Sequence, residues 1–440
     1  MNVEEEVLKK IKPSKEEEKE IKKIINELKR KISKEIEKRG VDAKVLLVGS
    51  LAKGTYLKNA LDIDLFILFP PSVSKEKMKE QSLEIGKEVL PKWKIQYAEH
   101  PYVRGEYEGY TVDIVPCYDV QNISKKMSAV DRTPFHTEYI KEHLTQKDEV
   151  RLLKQFLKGI NCYGAEAKVE GFSGYLAELL ILKYGSFRNV LKNASHWKRK
   201  TILSLDKEIK SFPENFVFVD PVDPSRNVAA ALSPEKLKFF IFAAEEYLKN
   251  PRIEFFFPKE IKPLSKEKMK KLVKNFLGVC IPKPDLVDDI LYPQIRKAAR
   301  SIESLLHKND FHPQEHGYYV NEEILIVLKL RELHLPEKKL HMGPPEEEKE
   351  HVKSFILKWK GRKDVSKEPY KKDGRWWVEI KRKYPDAFIF LKENLHAINF
   401  GKNLNDLKEK AEVYTDEELR NEKYAKFWAE YFSKEPPWER

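Results

Sequence analysis

Three aspartates lie in short apolar stretches of the chain, and their spacing suits metal-ion chemistry. Asp62 and Asp64 alternate with apolar residues in residues 61–69, so a β-strand there would place both carboxylates on one face and the apolar side chains on the other. Asp113 is the only acid in a second apolar stretch, residues 110–116. If the two strands are neighbours, the three carboxylates can bind Mg²⁺, and two such ions together are the arrangement that phosphoryl transfer uses.

The residues just before the aspartate pair strengthen this interpretation. An Asp-x-Asp pair alone is more typical of a solvated face or a turn. Here, however, Gly49 and Ser50 lie at a predicted strand-to-helix turn, where glycine permits close backbone approach and the free N–H groups of a helix start can bind phosphate. Ser50 adds a hydroxyl donor, and Lys53 could neutralise a triphosphate oxygen, although a lysine at such a position is more often only solvated. The ordered set predicts a phosphate-binding site.

Hydrophobic periodicity predicts the elements that must hold these residues. Ser14 followed by Glu17 opens a helix that an apolar stripe continues to about residue 39. The pattern that follows predicts an α+β domain on a mostly antiparallel or mixed sheet. The expected elements are a strand at 44–48, a helix at 51–57, a strand at 61–69, a helix at 74–90 and strands at 94–100, 102–107 and 110–115.

The rest of the chain changes character at two points. From about residue 138 to 250 the periodicity is mainly helical, with its strongest segments at 150–157 and 172–187. After Pro251 helices mix with aromatic strands, so the C-terminal third is predicted to be α+β. In it we expect helices at 266–276 and 293–307, strands at 253–257, 317–330, 376–380 and 387–391, and a linker at 341–348, where a Gly-Pro-Pro sequence precedes an acidic run.

The ordered Gly-Ser, Asp-x-Asp and Asp set resembles the nucleotidyltransferase superfamily typified by polymerase beta and poly(A) polymerase. Further segments narrow the resemblance to the archaeal, class I CCA-adding tRNA nucleotidyltransferases. The resemblance spans nearly the whole chain; its most specific motifs lie between residues 44 and 230, and residues 374–377 are the best match in the C-terminal third. The segments that carry it are 98–102, 128–136, 151–154, 161–166, 171–175 and 220–228.

This resemblance implies a fold and an activity. The implied fold class is α+β, with a polymerase-beta-like nucleotidyltransferase head on a mixed sheet over residues 1–137. A helical central domain over residues 138–257 would complete the nucleotide pocket, and an α+β tRNA-binding region over residues 258–440 could divide into body and tail near residues 317–390. The implied activity is template-independent addition of C, C and A to the 3′ end of tRNA from CTP and ATP, with two Mg²⁺ ions and release of pyrophosphate.

The resemblance also implies roles for individual residues. Without it, His136 could cap or pack after a turn, Lys154 could be a solvated helix lysine, and Tyr163 could belong to the core. Arg226 and its neighbours would then indicate only a turn that opens a helix at Asn227. The implied catalytic metal ligands are Asp62, Asp64 and Asp113, the implied ATP and CTP contacts are Gly49, Ser50, Lys53, His136, Lys154, Tyr163 and Arg226, and the implied supporting residues are Asp223 and Asn227.

Composition independently favours a polyanionic partner. The 440 residues include 83 Lys or Arg and 71 Asp or Glu, which gives a formal net charge of +12. Tracts that alternate cations with aromatic residues suit phosphate neutralisation and stacking on bases, although any one tract could be a solvated helix face. They lie at residues 196–200, 358–363, 374–377 and 381–383.

Composition also limits the class of protein. With 41% hydrophobic and 11% aromatic residues, the chain is neither disordered nor low in complexity. Three widely spaced cysteines without a CxxC motif indicate small buried hydrophobes in a reducing cytoplasm rather than disulfides. The acidic start and the short apolar stretches argue against secretion and membrane insertion. A homodimer would be typical of the family that the chain resembles.

Two alternatives stay open at this point. A relative of poly(A) polymerase or oligoadenylate synthetase would share the same core but would not use CTP. A non-catalytic RNA-binding protein that kept the fold would typically have lost an acid, whereas this sequence has all three. Use of CTP therefore separates the leading hypothesis from the first alternative, and nucleotide incorporation separates it from the second.

Overall fold

The computed structural model describes residues 2–58, 61–97, 99–198, 200–206 and 212–440. Two positions named above, residue 98 of the segment 98–102 and Arg199 of the basic tract 196–200, lie outside the described residues. The chain divides into two compact units. The first unit comprises Met1–Glu260, Val287–Asp289 and Glu435–Arg440, and the second comprises Ile261–Leu286 and Ile290–Lys434.

The first unit begins with two helices, continues into a sheet with its flanking helices, and then becomes mainly helical. Its helices are α1 (Val3–Ile11), α2 (Lys15–Lys38), α3 (Gly49–Lys53), α4 (Lys75–Val89), α5 (Arg132–His143), α6 (Lys147–Gly159), α7 (Gly174–Tyr184), α8 (Phe187–Ala194) and α9 (Pro234–Lys249). Its strands are β1 (Lys44–Leu47), β2 (Asp62–Phe69), β3 (Lys92–Tyr97), β4 (Pro101–Tyr107), β5 (Tyr110–Tyr118), β6 (Thr201–Leu203) and β7 (Phe216–Phe218).

The first five strands form one mixed sheet in the order β1-β2-β5-β4-β3. β2 and β5 are parallel, and the other neighbours are antiparallel. Ile63, Leu65 and Ile67 of β2 belong to a core shared with α2 and α4. Because side chains alternate along a strand, Asp62 and Asp64 lie on the opposite face. The predicted mixed sheet and its two-faced strand are confirmed.

Local sequence signals set the helix ends near this sheet. The Ser14 hydroxyl accepts the Glu17 N–H, and the Glu17 carboxylate accepts the Ser14 N–H, so a capping box begins α2 as predicted. The helix predicted at 51–57 is shorter. It ends at Lys53 because Gly54 adopts the left-handed conformation, with φ of 70°, and terminates the helix.

A second apolar core joins α1 to α6, α7, α8 and α9. Phe156 lies near its centre, with ring centroids 5.4 Å from Phe187 and 5.5 Å from Tyr247. Val7 and Ile11 of α1 belong to this core, so the N-terminal helix packs with the helical region and not against the sheet. The predicted helical character of this part of the chain is confirmed.

The strand predicted at 253–257 is wrong. Ile253–Phe255 forms a 3₁₀ turn instead. Phe255 and Phe256 are adjacent in sequence, yet both are buried in the helical core. A strand would send neighbouring side chains to opposite faces, whereas the turn lets both enter the same core.

The second unit is α+β, as predicted. Within the described residues it contains two sheets, with strand orders β14-β8-β10-β9 and β11-β13-β12. Its strands are β8 (Phe276–Pro282), β9 (Pro313–Val320), β10 (Glu323–Leu330), β11 (Lys338–Pro345), β12 (Val365–Lys372), β13 (Arg375–Lys381) and β14 (Glu412–Tyr414). The helices are α10 (Lys266–Leu272), α11 (Asp288–His307, whose first residues belong to the first unit), α12 (Lys349–Trp359), α13 (Ala387–Glu393), α14 (Asp416–Leu419) and α15 (Ala425–Phe432).

Three expectations for this unit need correction. The segment 317–330 is not one strand but a hairpin of β9 and β10. The segment 387–391 is helix α13 rather than a strand, because the Asp386 carboxylate accepts the Ile389 N–H and caps a helix start. The expected linker at 341–348 is largely strand β11, which pairs with β13 as far as Pro345.

Two expectations from composition can be compared with the structure. Cys117, Cys162 and Cys280 are buried free thiols, which confirms that they serve as small core residues. In the part of the chain that the structure describes, none of the helices is long and apolar enough to span a membrane.

Candidate functional site

The parallel pairing of β2 with β5 brings the three aspartates together. In the register of these strands Asp64 lies directly opposite Asp113, and Asp62 lies opposite Thr111. Asp62 is exposed, Asp64 is partly buried and Asp113 is buried. Burial, reinforced by the charges of Asp113 and Asp62, raises the pKa of Asp64 to about 7. The three acids therefore form one group of like charge.

Arg104 is the counter-ion of these acids, and sequence reasoning missed it. It lies opposite Asp113 on the neighbouring strand β4, and its Nε and Nη2 donate to the two carboxylate oxygens of Asp113 at 2.7 and 2.6 Å. We call Asp62, Asp64, Asp113 and Arg104 the acid cluster. Among the described residues, no three acidic, His or Cys side chains already converge as a metal-binding group. A cation shared by all three aspartates would therefore require Asp113 to turn from Arg104.

The Gly-Ser turn packs directly against the acid cluster. Gly49 has φ of +72°, and a Cβ built on it would overlap Oδ2 of Asp64. Any other side chain would therefore strain the backbone and displace Asp64. The Val48 N–H donates to the Asp64 carbonyl at 3.0 Å, which fixes the turn to the strand. Ser50, the next residue, is partly exposed.

Lys53 and Lys154 meet at a buried glutamate, Glu178. The Lys53 Nζ donates to Glu178 Oε2 at 2.6 Å, and the Lys154 Nζ donates to Oε1 at 3.0 Å. The Thr55 hydroxyl donates to the same Oε1 at 2.6 Å. We call these four residues the lysine cluster. The lysine cluster lies near the acid cluster. The positive charge of Lys53 therefore lowers the pKa of Asp64 and offsets part of the increase that burial causes.

The lysines are therefore not solvated helix residues, and the glutamate that binds them was missed. Lys53 and Lys154 are 8% and 2% exposed, which excludes the surface alternative for both. Glu178 is the only charged residue in the apolar segment 172–182. An isolated acid in an apolar helix requires buried partners, so this signal could have been found in the sequence.

A second buried acid, Asp220, binds three further side chains. The His136 Nε2 lies 2.8 Å from Asp220 Oδ2, and the Arg226 Nη1 donates to the same oxygen at 3.0 Å. The Tyr175 hydroxyl donates to Oδ1 at 3.2 Å, and its ring stacks on His136 with centroids 4.1 Å apart. Burial lowers the pKa of His136 although Asp220 opposes the shift, which favours the neutral imidazole at neutral pH.

Asp223 and Asn227 hold the loop that carries Arg226. The Asp223 carboxylate accepts from Arg132 at 2.8 Å, and the Asn227 Oδ1 accepts two backbone N–H groups at 3.1 and 2.9 Å. The helix predicted to open at Asn227 is wrong, because the next helix begins only at Pro234. The side chain of Asn227 is used to close a turn.

Tyr163 lies next to the lysine cluster. A Cβ built on Gly174 would be 3.0 Å from the Tyr163 hydroxyl and 3.7 Å from the Lys154 Nζ, so the phenol and the ammonium lie close together. Burial raises the pKa of Tyr163, which keeps the phenol a neutral hydrogen-bond donor. Lys158, one turn after Lys154, places its ammonium 5.5 Å from the centre of the Tyr163 ring.

The aromatic side chains of two basic tracts in the second unit differ in exposure. Lys358 and Arg362 lie 5.4 and 4.7 Å from the centre of the Trp359 ring, but Trp359 is buried in a small apolar core. Stacking on a base, predicted for the tract 358–363, is therefore wrong for this ring. The tract 374–377 keeps its two tryptophans partly exposed.

The mixed sheet, the Gly-Ser turn and the paired aspartates define a nucleotidyltransferase, and known families match in the same order along the chain. The family described as "Nucleotidyltransferase domain" matches residues 21–136. The family "tRNA nucleotidyltransferase, second domain" matches residues 148–257, and "CCA-adding enzyme, C-terminal domain" matches residues 274–416. The chain belongs to the family of CCA-adding enzymes, as its motifs predicted.

Two CCA-adding enzymes align with this chain over nearly its whole length. The CCA-adding enzyme of Archaeoglobus fulgidus is 39% identical, in an alignment that covers 90% of this chain and 91% of the relative. The CCA-adding enzyme of Methanosarcina acetivorans is 40% identical, in an alignment that covers 94% of this chain and 93% of the relative. Among solved structures, the Cid1 poly(U) polymerase aligns with 57% of this chain and 94% of its own, with 19% identity and a TM-score of 0.44.

Proposed function

We propose that this chain adds C, C and A in turn to the 3′ end of tRNA, from CTP and ATP and without a nucleic-acid template. The observation that carries the proposal is the pairing of Asp64 with Asp113 on adjacent parallel strands, directly against the Gly49-Ser50 turn. In a chain of the CCA-adding family, this pairing supports metal binding by the acids, and the buried lysines nearby support triphosphate binding. The reaction joins the terminal ribose hydroxyl of the tRNA to the α-phosphate, and pyrophosphate leaves.

Asp62, Asp64 and Asp113 are the residues that would hold two Mg²⁺ ions. The donor set fits a hard divalent cation, because it consists of carboxylate oxygens whose mutual repulsion a cation relieves. Divalent ions at such a site lower the pKa of an attacking hydroxyl and neutralise charge on the triphosphate. In this proposal Asp113 releases its partner, Arg104, when it takes up the cation.

The lysine cluster and its neighbours would bind the phosphates. An ammonium has three N–H donors. Lys53 donates one of them to Glu178, and the others would bind phosphate oxygens. Lys154 donates to Glu178 and to the carbonyl and hydroxyl of Thr55, so it would act on the phosphates through its positive charge. Ser50 and Tyr163 add neutral hydroxyl donors, and Gly49 allows the backbone to approach closely. Since CTP and ATP carry the same triphosphate, these residues would serve both nucleotides.

Arg226 would hydrogen-bond the base. Its side chain is 36% exposed and donates one N–H to Asp220, so further donors of the guanidinium can reach the Watson–Crick edge of C or A. His136 packs beside it through the same carboxylate and would contact the nucleotide as a neutral imidazole. Asp223 and Asn227 would keep the Arg226 loop in place.

The wider organisation of the protein is part of the same proposal. We propose a nucleotidyltransferase head over residues 1–137, a helical central domain over 138–257 and a tRNA-binding region over 258–440, and the family matches at 21–136, 148–257 and 274–416 fall within these bounds. The net charge of +12 supports binding of the tRNA backbone. We further propose that the protein is a cytoplasmic homodimer.

The direct test measures product length. Purified protein and Mg²⁺ are incubated with a tRNA transcript that lacks its 3′ CCA, together with CTP alone, ATP alone or both. Two additions with CTP and three with both nucleotides are expected, and a transcript that already ends in CCA should not be extended. A long ladder with ATP alone would instead indicate a poly(A) polymerase, and no extension under any condition would contradict the enzymatic proposal.

A further inference from the structure

Glu178 is a fully buried acid that is bonded to both lysines of the proposed triphosphate site. We propose that it is a positioning residue, which holds Lys53 and Lys154 side by side so that the positive charges of both act on the triphosphate in one fixed arrangement. This inference rests on the proposed function and adds to it the residue that organises the phosphate contacts. Glu178 itself does not touch the nucleotide.

The geometry joins three separate elements through one carboxylate. Lys53 ends α3 beside the Gly-Ser turn, Lys154 lies on α6, and Glu178 lies on α7. Each lysine uses a different oxygen of the carboxylate, Oε2 at 2.6 Å and Oε1 at 3.0 Å. Thr55 completes the arrangement, because its hydroxyl donates to Oε1 at 2.6 Å while its Oγ1 and its carbonyl oxygen accept from Lys154 at 3.1 and 3.3 Å. The carboxylate therefore sets the separation of the two ammonium groups.

The lysine cluster contains more positive charges than negative ones. Two ammonium groups share one carboxylate, and the Thr55 hydroxyl adds no charge. Burial alone would raise the pKa of Glu178, but the charges of Lys154 and Lys53 lower it, so the acid stays ionised. One positive charge is left over in a buried position, where an anionic ligand interacts strongly because solvent screening is weak. A triphosphate supplies such a ligand.

Loss of the carboxylate would affect both lysines together. Two buried ammonium groups without a counter-charge repel each other, and a free lysine side chain samples many rotamers. At least one of them would then turn away from the nucleotide. Because the phosphates are common to CTP and ATP, the consequence would be the same for both nucleotides, whereas a change at the base-binding Arg226 would alter their ratio.

The test replaces Glu178 by glutamine and measures ligand binding without tRNA. Titration calorimetry in Mg²⁺ follows CTP, ATP and inorganic tripolyphosphate, which has the phosphates but no base. In E178Q each dissociation constant should rise by roughly ten- to a hundredfold, because a charge-assisted hydrogen bond is lost. The ratio of CTP to ATP affinity should not change. Unchanged or tighter binding of tripolyphosphate, or weaker binding of one nucleotide only, would overturn the proposal.

Glu4 provides a matched control. It is also a buried acid in the same unit, where it is paired with Arg188 at 2.7 Å and accepts from Tyr247 at 2.9 Å, but it lies outside the lysine cluster. E4Q therefore repeats the chemical change and its cost in stability. Its affinity for tripolyphosphate should stay within about twofold of the unmodified protein, and an equal loss in E4Q and E178Q would show that Glu178 acts only through stability.

A second background keeps the test decisive if E178Q alone does not fold. In K154M the cluster has one lysine and one glutamate, so its charges balance. Adding E178Q to K154M can then release only Lys53, and the further loss of tripolyphosphate affinity should be several-fold smaller than in the unmodified background. Where E178Q alone is unfolded, this double variant should still bind tripolyphosphate more weakly than K154M. No difference between K154M and the double variant would contradict the proposal.

These measurements separate the positioning role from the wider function. Tripolyphosphate binding does not depend on tRNA or on turnover. If the unmodified protein binds tripolyphosphate and E178Q weakens it, Glu178 holds the phosphate-binding lysines even if no tRNA is extended. If tRNA is extended normally by E178Q with unchanged KM for both nucleotides, the function stands and the positioning role is refuted.

Discussion

The acid cluster and the lysine cluster lie in the same unit and carry opposite charge. In each of them the charged groups of one sign outnumber those of the other. At the sheet, three aspartates lie near one guanidinium, that of Arg104, which is bonded to Asp113. In the helical interior, two lysines share one glutamate, Glu178. The comparison supports the proposal that two ligands of opposite sign, a divalent cation and a polyphosphate, complete the site.

The largest effect is expected on the acid side. D113A removes the buried aspartate that faces Asp64, so turnover with CTP and a tRNA lacking CCA should fall by at least about a thousandfold. Tripolyphosphate binding in the absence of metal should change little, because the lysine cluster is intact. The control is D119N, one residue past the end of the same strand, which should keep its rate within about twofold. Substantial turnover in D113A would contradict the metal assignment.

A matched pair of glycines separates backbone strain from displacement of the acid cluster. G49A introduces a Cβ that overlaps the Asp64 carboxylate, and a shift of about 1 Å in a catalytic group can cost roughly a hundredfold in rate. Gly109 has a similar φ of +81° but open space around its Cβ position, so G109A should lower stability and leave kcat nearly unchanged. Equal kcat values in the two variants would show that contact with Asp64 is unimportant.

The like charges of the acid cluster should also make stability depend on pH. The pKa of Asp64 is about 7 in the folded protein and about 3.9 in an unfolded chain. Its contribution to the free energy of unfolding is therefore fully present below about pH 4 and is lost as pH rises through 7. Urea denaturation without divalent ions should show a loss of about 3 kcal/mol between pH 5 and 8 that D64N lacks. Identical pH profiles for D64N and the unmodified protein would refute this.

The smallest effect is expected from removing Arg104, the counter-ion of Asp113. R104M removes the guanidinium that competes with a cation for Asp113, so affinity for Mg²⁺ should rise by about fivefold. Calorimetric titration of the protein with Mg²⁺ measures it. Arg39, whose ion pairs are with Glu35 and Glu84, supplies the control R39M, which should not change the affinity. Weaker Mg²⁺ binding in R104M would mean that Arg104 supports the metal site rather than competes with it.

The sequence predicted best the features that depend on local pattern. The alternation around Asp62 and Asp64 predicted a two-faced strand, and the Ser14 to Glu17 spacing predicted the start of α2. Family motifs then named candidate site residues, and the structure places the aspartates among them on the interior strands β2 and β5. Their roles stay predictions. Each of these signals lies within a few neighbouring residues, so it can be recognised without knowledge of the tertiary fold.

The features that the sequence did not predict depend on distant pairing. Arg104 acquires its meaning only when β4 is placed beside Asp113 of β5, and Glu178 only when α7 is placed against α3 and α6. The same holds for the strand expected at 253–257, where the helical core draws Phe255 and Phe256 to one side. Short apolar segments are ambiguous between turn, helix and strand until their packing partners are known.

The buried cysteines have a practical consequence for the experiments described above. Burial raises the pKa of all three thiols, to about 12 for Cys162 and about 11 for Cys280, and only the thiolate reacts readily with maleimides. The folded protein should therefore remain unlabelled by such reagents at neutral pH. A single cysteine introduced on the surface would then carry a fluorophore at a known position, without removal of any native residue.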